Sequence, residues 1–190
     1  MPGREQAIAD SVAATQEWFR SQTGGRHPVF ERDEAGVSVE TVQLPDISLT
    51  DGFDSGEALR DALDYDDATP LLIVVEGEIT ETGACGWNSG NFVMIPIDNC
   101  DIEPLQNSKW PSGMNYLIGP ELTYLLGAAP DCAPNSDGGS HVTDDNRDVI
   151  WTGGPRDWDN LMLDVNRDDY FEHGRADCPD ISDHYLLGIE

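Results

Sequence analysis

Residues 71–97, LLIVVEGEITETGACGWNSGNFVMIPI, hold two continuous apolar runs, Leu71 to Val75 and Phe92 to Ile97. Each is short and bounded by turn-forming residues, the pattern of a strand buried on both faces. The segment between them, Thr82 to Asn91, is small and polar and carries Cys85 and Trp87. Read as a hairpin, the two runs put Cys85 at the tip and Cys100 beyond the open end. A strand rises about 3.3 Å per residue, so these cysteines would stand roughly 20 Å or more apart. A disulfide needs Cα atoms within about 7 Å. If disulfides form, Cys85 is therefore expected to pair with Cys132 or Cys178 rather than with Cys100.

Working outward, residues 5–20 place Ile8, Val12, Thr15 and Phe19 at helical spacing, with Trp18 beside them and Gly24-Gly25 as the stop. Residues 28–31 and 37–44 read as short strands, the second ending at Pro45. Asp54, three residues before Glu57, resembles a capping box opening a short helix through Leu59, Ala62 and Leu63. Pro120 at a first helical position and Gly127 just past the end frame another. Residues 128–148 show no period and read as one long loop, with Cys132 as a tether. Val149 to Thr152, Leu161 to Val165 and Tyr185 to Leu187 complete the strands. The expectation is one domain over 1–190 of β-rich α+β class, an antiparallel sandwich or jelly roll with an N-terminal helix and one or two short helices.

The charge is as informative as the pattern. The 190 residues carry 37 acids against 10 bases, for a net charge of −27, and Lys109 is the one lysine. In dilute buffer such a surface repels itself and destabilises the compact state. Molar salt shortens the Debye length to about 3 Å and removes most of that cost. The acids are spread along the chain rather than gathered in a tail, which points to adaptation to concentrated salt. Nine arginines scattered without a patch argue against nucleic acid as a partner. An anionic membrane surface is disfavoured for the same reason, and no apolar run approaches the length of a membrane span.

Four cysteines without a C-x-x-C pair leave three alternatives: two disulfides, a zinc site built from distant loops, or buried thiols. Disulfides favour an oxidising exterior, whereas the opening MPGREQAIAD has neither an apolar stretch nor twin arginines. A virion protein reconciles these observations, being made in a high-salt cytoplasm and released by lysis.

Asp164, Asn166 and Asp168 set oxygen ligands at alternate positions, as the start of a calcium loop does. Asp169 then stands where an EF-hand needs glycine and Arg175 where it needs glutamate, so an EF-hand is excluded. What remains is a looser calcium or magnesium site on Asp164, Asn166 and Asp168, with Asp159 as a further ligand, or an ordinary solvated acidic loop. His27, His141, His173 and His184 form no metal-binding pattern, and no phosphate-binding loop or nucleophile elbow is present.

Ser182-Asp183-His184-Tyr185 resembles the closing signature of the endonuclease/exonuclease/phosphatase family, and Asp164-Val165-Asn166 resembles its D-x-N motif. That resemblance implies His184 as general acid/base, Asp183 as its orienting partner, and a divalent metal at a phosphoester site. The two motifs stand closer together here than in that family, and its early metal-binding glutamate has no counterpart.

Three functions follow as expectations. The first is a structural or assembly component of a halophilic archaeal virus particle, a capsid, decoration, neck or tail protein, with itself and other virion proteins as partners. Its interface anchors would be the aromatic residues Trp87, Trp110 and Trp158, with Trp18 and Phe19 on the N-terminal helix. The second is the metal-dependent phosphoesterase, and the third a salt-adapted cellular binding domain.

Overall fold

The computed structural model describes residues 3–34, 36–44, 52–63, 65, 68–76, 84–98 and 114–189. Trp110 and Cys100 lie outside the described residues. Among the described residues the chain is mixed α+β, with three α-helices and small sheets. None of the helices is long and apolar enough to cross a membrane.

Helix α1 spans Arg4–Thr23 and stops where Gly24 turns left-handed, its N–H reaching back to the Arg20 carbonyl. Its buried face is unusually polar: Ser11, Thr15, Gln16 and Thr23 accompany Val12 and Phe19. The three hydroxyls are satisfied four residues back, on the carbonyls of Ala7, Ser11 and Phe19. Gln16 donates to the Pro28 carbonyl at 2.8 Å. Those bonds allow a helix with so few large apolar residues to be buried.

Strand β1 (His27–Pro28) pairs antiparallel with β7 (Leu187–Gly188), and β2 (Arg32–Asp33) with β3 (Gly36–Val37). The strands expected at 28–31 and 37–44 are thus much shorter, and residues 38–44 add no strand. Helix α2 covers Gly52–Leu63.

The central sheet orders β4 (Leu71–Val75), β6 (Phe92–Pro96) and β5 (Trp87–Ser89). The expected hairpin of the two apolar runs is corrected here: β4 and β6 run parallel, Leu71 opposite Phe92, and the antiparallel partner of β6 is β5. Ser89 and Phe92 are joined by a two-residue turn in which Gly90 takes φ +56°. β6 is buried throughout. Val93 and Ile95 enter one cluster with Ile118 and Leu122, while Phe92 and Met94 enter another with Leu59 and Trp87. A strand covered on both faces reads as a continuous apolar run, which is the usual state of parallel strands.

The register also revises the cysteine pairing. Cys132 and Cys178 are bridged, with Cα atoms 5.7 Å apart, which excludes both partners expected for Cys85. Cys85 is itself disulfide-bonded. With Trp87 opposite Met94, Cys85 stands two residues before β5, the antiparallel partner of β6. It is not at a distant hairpin tip. Among the described residues no cysteine is free, so Cys85, Cys132 and Cys178 are neither free thiols nor zinc ligands.

Helix α3 runs over Asn115–Leu125, so Pro120 lies inside it rather than at its first position. Gly127 at φ +92° follows its end. Residues 128–148 hold no helix or strand, and Val149–Thr152 and Leu161–Val165 make only isolated bridges, Val142 to Trp151 and Asp148 to Met162.

Candidate functional site

The C-terminal third has little regular structure, and aspartate side chains share with backbone carbonyls the work of satisfying its amides. Asp164, with φ +53°, turns its carboxylate inward and accepts the N–H groups of Asp168, Asp169, Tyr170 and Phe171, the last two at 2.7 and 2.6 Å. Asp148 accepts from the amides of Ile150 and Val165 and from the Tyr170 hydroxyl at 2.8 Å. The same hydroxyl accepts from the Asp164 N–H at 2.9 Å. Asp180 gathers the amides of Glu172, His173 and Ser182. Asp148, Asp164 and Asp169 are buried to within 1%. Burial pushes Asp148 up to about 7 and raises Asp164, with the donated hydrogen bonds pulling the other way.

This geometry separates the residues proposed as a metal site. Asp164 is spent on backbone amides and Asn166 is exposed. Asp168 instead comes together with Asp144 and Asp169, their carboxylate oxygens within 4.8 Å of one another. Asp169 is tied to Asn135, accepting its backbone N–H at 2.8 Å and its side-chain amide at 3.1 Å. Asp168 Oδ1 is buried without a hydrogen-bond partner. Three such carboxylates are the oxygen set that calcium or magnesium takes. Burial and the neighbouring acids raise Asp144.

His184 and Asp183 line a shallow cleft of about 600 Å³ beside the Cys132–Cys178 bridge, and Asp164 is not part of that lining. His184 stacks on Tyr185 at 4.7 Å, its Nδ1 accepts the Leu186 N–H at 3.3 Å, and burial lowers its pKa.

Of the aromatic anchors expected on the surface, Phe19 is fully buried and Trp87 is 9% exposed in the cluster between α2 and the sheet. Trp18 packs against the main core. Phe19 and Trp87 are thus spent on the chain's own core, and half-buried Trp18 lies at its margin. Trp158 is half-buried, edge-on to Tyr116 at 4.9 Å and under the Arg156 guanidinium at 4.9 Å.

Trp158 belongs to a second cleft, also about 600 Å³, between α3, the segment before β5 and residues 151–158. Glu121 projects into it from α3, and Gly86 leaves the room, since a Cβ there would fall 2.7 Å from Glu121 Oε1. Burial pushes Glu121 up to about 7, against the pull of Arg156. Arg156 donates to the Trp151 carbonyl at 2.8 Å. No hydrogen bond or ion pair closes on the Glu121 carboxyl among the described residues. Tyr124 and His141, edge-on at 5.5 Å, complete the polar wall. Reading the sequence did not single out Glu121, although one signal was there: it is the only charged residue in α3. A lone acid in an apolar helix must either face solvent or line a site.

Compared with family models, curated proteins and solved structures, the chain matches none of them.

Proposed function

We propose that this chain is a salt-adapted structural component of a halophilic archaeal virus particle, assembling with itself and with other virion proteins in a capsid, decoration, neck or tail. The observation that carries the reading is a set of exposed apolar residues flanking the β1–β7 pair: Val29, Tyr185 and Ile189 are 42%, 71% and 78% exposed. The Val29 N–H bonds the Leu186 carbonyl at 3.0 Å, which holds the two segments that carry them side by side. In molar salt, ion pairs and electrostatic steering are screened, and apolar burial is the attraction left to an interface. The net charge of −27 supports protein partners rather than nucleic acid or an anionic membrane. The Cys132–Cys178 bridge supports a working place outside a reducing cytosol. The antiparallel sandwich or jelly roll expected from the sequence is part of this proposal, as the architecture common in capsid proteins.

Sedimentation in molar KCl tests it. A defined oligomer is expected, broken by Tyr185→Ser with Ile189→Ser while the monomer stays folded. A monomer at every protein and salt concentration, with no association with particles, contradicts it.

A second reading, a salt-adapted binding domain, is favoured by the cleft that holds Glu121, Arg156 and Trp158. The phosphoesterase reading has no comparable support, because the Asp164 carboxylate is occupied by backbone amides.

A further inference from the structure

The cleft between α3 and residues 151–158 is an open groove of about 600 Å³ whose walls mix aromatic side chains with a few convergent polar groups. We propose that it binds a neutral saccharide, one or two sugar rings, with Glu121 and Arg156 hydrogen-bonding the hydroxyls, Trp151 and Tyr124 packing against the sugar, and Trp158 holding the Arg156 guanidinium over its own ring. The inference goes beyond the assembly reading and holds whether or not the chain oligomerises.

Three observations select this class. First, Glu121 and Arg156 share the cleft and feel each other's charge, yet form no ion pair within 4.0 Å among the described residues. An acceptor and a donor held apart in this way suit a ligand that offers both donors and acceptors on adjacent atoms, as vicinal hydroxyls do. Second, the charges present disfavour ionic ligands. A cation would meet the Arg156 guanidinium, which already covers the Trp158 ring at 4.9 Å and so fills the place an ammonium would take. An anion would meet the Glu121 carboxyl inside a chain of net charge −27. Third, the salt that this composition calls for screens charge–charge attraction and leaves hydrogen bonding and apolar contact in place.

The Glu121 carboxyl needs the space above Gly86, where any Cβ would stand 2.7 Å from Oε1. Gly86 lies outside the left-handed region, so alanine is conformationally allowed there and acts on the cleft by displacing that carboxyl.

The test is binding in molar KCl to an immobilised panel of neutral mono- and oligosaccharides, followed by titration of the best binder against tryptophan fluorescence. At least one panel member is expected to bind saturably and change that fluorescence. Glu121→Gln, Gly86→Ala and Trp158→Ala are each expected to weaken binding by about tenfold or more, with circular dichroism unchanged. Should one variant fail to fold, the other two and the wild-type titration still decide the matter. No binding by any neutral sugar overturns the proposal, as does stronger binding of tetramethylammonium or inorganic phosphate in the same assay. So does sugar binding that all folded variants retain. Failure here leaves the oligomer measurement untouched, so the two readings fail separately.

Discussion

The Tyr170 hydroxyl ties Asp148 to Asp164, donating to the Asp148 carboxylate at Oδ1 at 2.8 Å and accepting the backbone N–H of Asp164 at 2.9 Å. All three residues are at most 1% exposed. Their bonds hold residues 148–171 together where regular structure is limited to isolated bridges and one short 3-10 helix, Trp158–Asn160. An acidic chain thus uses some of its acids as internal acceptors, in the part of the fold poorest in secondary structure.

Tyr170→Phe removes one donor and one acceptor at once. The Asp164 N–H is left buried without a partner, and Asp148 loses one of three donors. The expected cost is about 1–3 kcal/mol, read as a lower urea midpoint in molar KCl with an unchanged m-value. A variant as stable as the wild type would show that the network contributes nothing net.

Asp148 and Glu121 are both held near 7, against ordinary values of 3.8 and 4.5. The folded protein therefore binds these protons more tightly than the unfolded chain. The stability they contribute is complete below about pH 4 and is lost as pH rises through 7. In molar KCl the thermal midpoint is expected to rise as pH falls from 8 toward 5. Glu121→Gln is expected to remove roughly half of that slope, which separates it from the general relief of surface repulsion. An unchanged slope in this variant would place Glu121 in solvent.

The Cys132–Cys178 bridge spans 46 residues, and chain entropy alone makes a loop of that size worth about 4 kcal/mol. Replacing both cysteines by serine should lower unfolding stability by that order. Non-reducing peptide mapping should recover the 132–178 pair, and a Cys85–Cys132 or Cys85–Cys178 bridge would contradict the fold described.

Trp87 and Trp158, alike as loop tryptophans in the sequence, are expected to behave differently. Trp87→Ala opens a cavity between α2 and the sheet and should cost about 3–5 kcal/mol. Trp158→Ala, at the rim of an open cleft, should cost about 1 kcal/mol. Equal costs would contradict their placement.

The two apolar runs that become β4 and β6 were plain in the sequence because burial on both faces leaves no polar alternation to hide them. Their direction was not, since a continuous run has the same periodicity in a parallel and an antiparallel pair. β5 was missed because Trp87-Asn88-Ser89 is too short and polar to carry a strand signal, and with it went the cysteine pairing. Pro120 reads as a helix opener because proline suits the first helical position, whereas α3 begins at Asn115 and holds it in its interior. The carboxylate network was hidden for a different reason: composition counts every aspartate as surface charge. Asp148, Asp164 and Asp169 face inward through tertiary contacts that no count can show. The cleft is tertiary in origin, drawing on residues 85–86, 116–124, 141 and 151–158, and no local pattern joins those segments.

Adaptation to concentrated salt underlies the whole account, and equilibrium unfolding against KCl concentration tests it most directly. With 37 acids, 10 bases and a single lysine, cooperative stability is expected near molar KCl. Progressive unfolding should follow on dilution to low salt without divalent ions, as screening of the surface repulsion is withdrawn. Full cooperative stability in low-salt, chelator-treated buffer would contradict the account.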